Sequence, residues 1–215
     1  MARVAGLYAV TPDIADTSLL LDKVAAAIAG GASAVQYRNK SASPELQHEQ
    51  ARALAMLCRG HIIFIVNDDA RLAAAVGADG VHVGEDDGAL AQVRRDLGAD
   101  RIVGVSCYND FARAKAFAAQ GADYLAFGSF HPSSVKPHAR RAEPSLLTRA
   151  RVLGLPLVAI GGITAANAGA LLAAGADAVA VVTDLFEHDD VADITRAAVA
   201  IVAAIHSSIR PAGPI

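Results

Sequence analysis

Five short stretches carry side chains that could handle a charged phosphate. In "VQYRNK", Gln36, Arg38 and Lys40 recur at every second position, so in extended chain they share one face. "IIFIVN" runs into Asn67 and Asp68, and "DGVHVG" runs into Glu85, Asp86 and Asp87. "RIVGVS" ends in Ser106, and "GSFHPSSVKPHARR" holds Ser133, Ser134 and Lys136. Magnesium takes one or two carboxylates and leaves its other positions to water and phosphate oxygens. Arg and Lys balance the phosphate charge that remains. If Asp68 and one of Asp86 or Asp87 met these cations in one mouth, together they could hold a magnesium pyrophosphate. Each acid alone has a plainer reading, as a cap at the start of a helix.

Two further stretches suit a second phosphate. "AIGGIT" holds Gly161 and Gly162, and "VVTDLF" holds Val182 and Thr183. Glycines let a ligand approach the backbone N–H groups closely, although a glycine pair alone is common in turns. Asp184 would repel a phosphate, so its side chain is expected to point away.

The elements that must position these residues follow from apolar periodicity. Eight strand-like runs occur: "GLYAVT", "SAVQYR", "IIFIVN", "DGVHVG", "RIVGVS", "DYLAFG", "PLVAIGG" and "DAVAVV". Ala- and Leu-rich segments with one charged side separate them, as amphipathic helices would. A repeat agrees with this count. "GGASAVQ", "GADGVHV", "GADYLAF" and "GADAVAV" introduce the second, fourth, sixth and eighth strands. Strict alternation of strand and helix calls for a parallel sheet. Eight units in 215 residues suit an α/β single-domain (β/α)8 TIM barrel, with a doubly wound open sheet as the alternative. The barrel should span 1–208, with 209–215 as a loose tail because "IRPAGPI" carries two prolines. In a barrel, all the residues singled out above fall at the C-terminal ends of strands, where active sites lie.

Composition narrows the partners. Net charge is -3, and no run of like charges stands out, which disfavours nucleic acid. No apolar run reads as long enough to span a bilayer, and the N-terminus lacks a signal-peptide pattern. The expectation is a cytoplasmic protein with small-molecule substrates, no nucleic-acid partner and no membrane; homo-oligomer formation stays open. Cys58 and Cys107 lie far apart, so they read as packed thiols rather than a disulfide, zinc site or nucleophile. His82 falls within the fourth strand, opposite in direction to Val81 and Val83, and could line the barrel interior. Like His131 and His138, it reads as structural or solvated, since no ligand-like histidine cluster is present.

With these residues assembled, the chain closely resembles the thiamine phosphate synthase family. "LYAVTP", "VQYRNK", "VNDDARLAAAVGADGVHVGEDD", "VGVSCYN", "GADYLAFGSFHPSSVKP", "AIGGIT" and "GADAVAVVTDLF" occur in family order over nearly the whole length. The resemblance implies a barrel enzyme that joins 4-amino-2-methyl-5-hydroxymethylpyrimidine diphosphate to hydroxyethylthiazole phosphate or its carboxylate, giving thiamine phosphate and pyrophosphate. It implies that Gln36, Arg38 and Lys40, with Tyr37 and Asn39 in the same stretch, bind the pyrimidine diphosphate, as does Asn67. Asp68 and Asp87 would ligate Mg2+. Ser106 and Lys136 would hold the diphosphate, making Arg38, Lys40, Ser106 and Lys136 the catalytic set. Ser133, Ser134 and Val135 would contact the thiazole, and Gly162, Val182 and Thr183 its phosphate. The implied substitution is dissociative and needs no protein nucleophile.

The sequence departs from the family pattern in places. Glu85 stands where Gln is usual, Val135 where Thr is usual, Thr183 where Ser is common, and Asn39 where Glu is frequent. Val135 matters most, because a hydroxyl contact to the thiazole is lost. Two rivals share the barrel. A thiazole tautomerase would carry a catalytic His directly after the sixth strand's Gly, where this chain has Ser129. A non-catalytic phosphate-binding barrel would keep the glycines without needing the carboxylates.

Overall fold

In the computed structural model, which describes residues 3–84, 90–132 and 140–209, strand and helix alternate along the chain. The strands are β1 (Gly6–Val10), β2 (Ala34–Tyr37), β3 (Ile63–Asn67), β4 (Gly80–Val83), β5 (Ile102–Tyr108), β6 (Tyr124–Gly128), β7 (Leu157–Ile160) and β8 (Ala178–Val181). The helices are α1 (Thr17–Ala29), α2 (Pro44–Cys58), α3 (Ala70–Val76), α4 (Leu90–Leu97), α5 (Phe111–Ala119), α6 (Ser145–Ala150), α7 (Ala165–Ala173), α8 (Thr183–Phe186) and α9 (Val191–Ile209). Every strand pairs in parallel with the next, and β1 pairs with β8 through Leu7 and Val179. The sheet therefore closes into an eight-stranded barrel, and the open-sheet alternative falls.

Successive strand residues point to opposite faces, and the burial follows that alternation. Leu7, Ala9, Val35, Tyr37, Phe64, Val66, Leu125 and Phe127 face outward into one apolar layer beneath the helices. Tyr8, Val10, Ala34, Ile65, Tyr124, Ala126, Val158 and Ala180 face inward and fill the barrel. Gln36 and Arg38 belong to the inner parity, and Tyr37 and Asn39 to the outer.

The repeated Gly-Ala-Asp has a structural meaning. Asp79 Oδ2 accepts from the Phe64 N–H at 2.8 Å, Asp123 Oδ2 from Val103 N–H at 2.7 Å, and Asp177 Oδ2 from Leu157 N–H at 2.9 Å. Each carboxylate thus ties the start of its own strand to the start of a neighbour. Ser33, at the matching place of the first repeat, donates instead to the carbonyls of Ala5 and Leu7. These ties lie at the strands' N-terminal ends, away from the residues expected to do chemistry. Other acids cap helices: Asp16, Asp69 and Asp110 accept from the first turns of α1, α3 and α5, satisfying N–H groups that a helix start leaves open.

The structure corrects one expectation and bears on two others. β5 does not stop at Ser106 but reaches Tyr108, with a register shift between Ser106 and Tyr108 against β6. The last helix extends through Ile209, the first residue of the expected tail 209–215, and residues 210–215 lie outside the described residues. Finally, α9 contains a window, Val191–Ser208, long and apolar enough to cross a membrane by length and composition. Its Ile194, Ala198, Ile201 and Ile205 are buried, a spacing that forms one stripe on a helix. A side chain on Gly30 would lie 2.4 Å from Ala198 Cβ, so α1 and α9 pack backbone-close.

Candidate active site

A cavity of about 520 Å³ opens at the C-terminal ends of the strands. Its floor and walls are the inner face of the barrel: Val10, Ala126, Val158, Ile160 and Ala180 supply apolar surface. That volume falls in the range of small-molecule sites.

The structure brings seven of the expected residues to this one cavity: Gln36, Arg38, Asn67, Ser106, Gly162, Val182 and Thr183. Gln36 is buried, and its Nε2 donates to the Tyr8 hydroxyl at 2.9 Å. Arg38 makes an ion pair with Asp13 at 3.1 Å. Asp13 also accepts from the Lys40 backbone N–H, at 3.2 Å. Thr11, fully buried, clasps the same turn, because its Oγ1 donates to the Arg38 carbonyl and accepts from the Arg38 N–H. The first strand's end thereby fixes where the second strand's cation points.

Lys40 and Asp68 meet at the rim, with Nζ 3.2 Å from Oδ2. Asp68 is held at φ 64°, and its N–H donates to the His82 carbonyl at 2.8 Å. That left-handed conformation is unusual except for Gly, Asn and Asp. Tyr108, which lines the cavity, also has positive φ, at 54°. Sparsely populated backbone of this kind clusters at functional sites.

Tyr37 and Asn39 do not join the cavity with their side chains. The Tyr37 hydroxyl donates to Gln50 Oε1 at 2.9 Å, and Asn39 Nδ2 donates to the Ile14 carbonyl at 2.8 Å and to Gln50 Oε1 at 3.0 Å. Burial, with the Asp13 charge adding to it, pushes the Tyr37 phenol up to about 12. The reason is the parity of the strand: with 36 and 38 inward, 37 and 39 must enter the layer under the helices. Neither side chain is among those that line the cavity. Asp87, Ser133, Ser134, Val135 and Lys136 lie outside the described residues, as do Glu85, Asp86 and His138.

The turn after β7 has no room for side chains. Gly161 and Gly162 have φ of 103° and 60°. A Cβ on Gly162 would sit 2.1 Å from the Pro132 carbonyl oxygen, and one on Gly161 would sit 2.1 Å from Ser129 Oγ. Beside them, α8 begins at Thr183, immediately after β8. Short helices placed so, after the last strands of a barrel, commonly receive phosphate. The Asp184 carboxylate, expected to point away, is engaged by the start of α7. Asp184 borders the cavity, with Oδ2 accepting from the Ala165 N–H at 3.3 Å.

Several groups at the cavity were not assigned to the site from sequence. His82 Nε2 lies 2.9 Å from Ser106 Oγ, and His82 Nδ1 lies 2.8 Å from the Tyr124 hydroxyl. Thus His82 does line the interior, and it touches a residue of the candidate site. Tyr8, Thr11, Tyr108 and Arg140 also line the cavity. The inward parity of Tyr8 in "GLYAV" was available as a signal, whereas Arg140 lies in a loop with no periodicity to orient it. Cys58 and Cys107 are free and buried, and burial pushes each thiol up to about 12, in keeping with their reading as packed thiols.

A sequence model of the TMP-TENI family, described as thiamine monophosphate synthase, matches residues 7–185. The thiamine-phosphate synthase of Chromobacterium violaceum is 54% identical over 196 residues, covering 91% of this chain and 95% of that protein. The thiamine-phosphate synthase of Methylobacillus flagellatus is 54% identical over 189 residues, covering 87% of this chain and 90% of that protein. Among solved structures, a thiamine phosphate pyrophosphorylase from Pyrococcus furiosus superposes with a TM-score of 0.84 at 30% identity, covering 96% of this chain and 98% of that one. A 3-hexulose-6-phosphate synthase, 21% identical with a TM-score of 0.68, shares the fold. By its matched length, by its identity to these relatives and by its closed barrel, this chain belongs to the thiamine monophosphate synthase family.

Proposed function

We propose that this chain is a thiamine phosphate synthase that joins an aminopyrimidine methyl diphosphate to a hydroxyethylthiazole phosphate, releasing pyrophosphate. One observation carries the reading: Gln36, Arg38, Asn67 and Ser106 share a single cavity with Gly162 and Thr183 at the strands' C-terminal ends. Such a cavity offers one polar, cationic wall for a diphosphate and one backbone-rich wall for a second phosphate.

The donor set suits magnesium. Asp68 presents a carboxylate at the rim, one-third exposed and beside Lys40. Among the described residues no group of three or more His, Cys, Asp or Glu gathers, and a magnesium ion that keeps its waters needs only one or two carboxylates. Asp68, with Asp87 as the second ligand expected from the sequence, would hold it. Bound there, magnesium would supply positive charge against the departing diphosphate.

The chain's own residues have separate tasks. Arg38 carries a guanidinium suited to two phosphate oxygens at once, and Asp13 and Thr11 hold it in place. Lys40 adds charge at the rim. Ser106 donates a hydrogen bond toward the same oxygens. As the diphosphate leaves, the pyrimidine methylene becomes cationic and is stabilised by the electron-rich ring. The apolar wall of Val10, Ala126, Val158 and Ile160 keeps water from that carbon until the thiazole nitrogen attacks. Fixed donors aimed at developing charge commonly give the largest part of such catalysis.

The decisive experiment is a coupling assay with both substrates, with and without magnesium, following thiamine phosphate. Formation that depends on both substrates and on the metal is expected. Proton exchange into thiazole carboxylate without the pyrimidine substrate would favour the tautomerase instead. Ser129, at the place where that chemistry would want a histidine, donates its hydroxyl to the His131 carbonyl at 2.7 Å.

A further inference from the structure

Five side chains form one hydrogen-bonded row along the inner face of the barrel. Gln36 Nε2 donates to the Tyr8 hydroxyl at 2.9 Å, and the Tyr8 and Tyr124 hydroxyls lie 2.9 Å apart. Tyr124 is 2.8 Å from His82 Nδ1, and His82 Nε2 is 2.9 Å from Ser106 Oγ. The rings brace one another: Tyr8 meets Tyr124 edge-on, and His82 stacks on Tyr124. Tyr124 has room only because residue 104 is glycine, since a Cβ there would lie 1.9 Å from the Tyr124 Cζ.

Counting protons gives the row a direction. The Gln36 amide nitrogen can only donate. Burial raises the pKa of both phenols, so each keeps its single proton. Tyr8, already accepting from Gln36, passes its proton toward Tyr124, and in the His82 tautomer that accepts at Nδ1, Tyr124 donates to that nitrogen. A neutral imidazole that accepts at Nδ1 carries its own proton on Nε2, which is then donated to Ser106. The Ser106 O–H is thereby left to point into the cavity as a donor. At the other end, Gln36 makes no further side-chain hydrogen bond among the described residues. No buried side-chain polar atom there lacks a partner, so Gln36 Oε1 opens on the cavity as an acceptor. Turning the Gln36 amide over would reverse every link and leave Ser106 an acceptor.

We propose that this row couples the two ends of the cavity: a ligand group that donates to Gln36 sets Ser106 as a donor to an anionic acceptor, with Tyr8, Tyr124 and His82 as positioning residues. Resting on the synthase reading, the donating group is the pyrimidine amine and the acceptor is the leaving diphosphate. A ring bearing a carbonyl in place of the amine would select the reversed row and meet a Ser106 turned the wrong way. The coupling is thus a specificity device, built from residues that need not touch the reacting carbon.

The first test needs no substrate. Nitrogen-15 spectra of the labelled protein, with His82 assigned through its bonded connectivity, should show a neutral ring protonated at Nε2. A ring protonated at Nδ1, or at both nitrogens, overturns the proposal. The second test compares Ser106→Ala, Tyr124→Phe and the double variant in thiamine phosphate formation. Tyr124→Phe should lower kcat about tenfold with little change in KM, as expected for one misdirected hydrogen bond to a charged group. The double variant should be no slower than Ser106→Ala alone. Losses that multiply would show that Tyr124 acts apart from Ser106, and the coupling would be discarded. If Tyr124→Phe does not fold, the wild-type spectra decide. Absence of thiamine phosphate from the wild type would instead sink the synthase reading and leave the spectral test standing.

Discussion

Replacing Asp68 by asparagine tests the metal assignment with little structural disturbance. Asp68 sits at φ 64°, a conformation that Asn tolerates nearly as well as Asp. Asp68→Asn keeps the shape and removes the charge. The structural loss is the ion pair to Lys40, whose two side chains are 59% and 33% exposed. Exposed pairs of this kind contribute roughly 0–1 kcal/mol. For a chain of this size, that corresponds to a melting shift of at most about 4 °C. The expected kinetic loss is far larger. Weakening the hold on a magnesium ion that would help neutralise the leaving diphosphate should lower kcat about a hundredfold or more, and raising the magnesium concentration should recover part of it. Asp68→Ala would mix two effects, because an alanine at positive φ adds about 1–2 kcal/mol of backbone strain. The assay is thiamine phosphate formation across a magnesium titration, beside a thermal melt of each variant. Wild-type turnover and wild-type magnesium dependence in the Asp68→Asn enzyme would refute the placement of the ion at Asp68.

Other outcomes follow from particular contacts. Gly162→Ala would drive a methyl to 2.1 Å from the Pro132 carbonyl; it should raise KM for the thiazole phosphate at least about tenfold, and an unchanged KM would remove this turn from the phosphate site. Asp79→Ala should lower stability by about 2 kcal/mol by leaving the Phe64 N–H without its partner, while KM values of the folded enzyme stay as they were; chemical denaturation and steady-state kinetics check the two halves. Cys58 and Cys107 have folded pKa values of about 12 against an ordinary value of 9.0. The unfolded chain therefore releases these protons first, so their contribution is intact below pH 9 and is lost as pH rises toward 12. Denaturant midpoints at pH 7, 9 and 11 should fall only above pH 9, and the thiols should resist aromatic disulfide reagents until the protein unfolds.

Much of the architecture could be read directly from the residues because its determinants are local. Apolar runs of strand length, glycine at helix ends and the Gly-Ala-Asp repeat each depend on a few neighbours, and they predicted the number of strands and the end of the barrel that holds the cavity. Side-chain direction was readable where a strand's alternation persists, which is why Gln36 and Arg38 line the cavity. The same parity, applied to Tyr37 and Asn39, would have sent both toward Gln50. The remaining pieces depend on long-range encounters. Nothing near Asp13 in the chain announces that it will hold Arg38, and Tyr124 reaches Tyr8 across 116 positions of sequence. The positive φ of Tyr108 likewise accompanies the register shift of β5 against β6.

The carboxylate stitches of Asp79, Asp123 and Asp177 have a bearing on how such a barrel can change. They pin strand to strand at the rim opposite the cavity, so the loops around the mouth are relieved of keeping the strands in register. Those loops are then free to be lengthened, exchanged or recoded for another phosphorylated ligand while the stave alignment stays put. A chain with this arrangement is a natural starting scaffold for loop grafting, provided the three aspartates are left untouched.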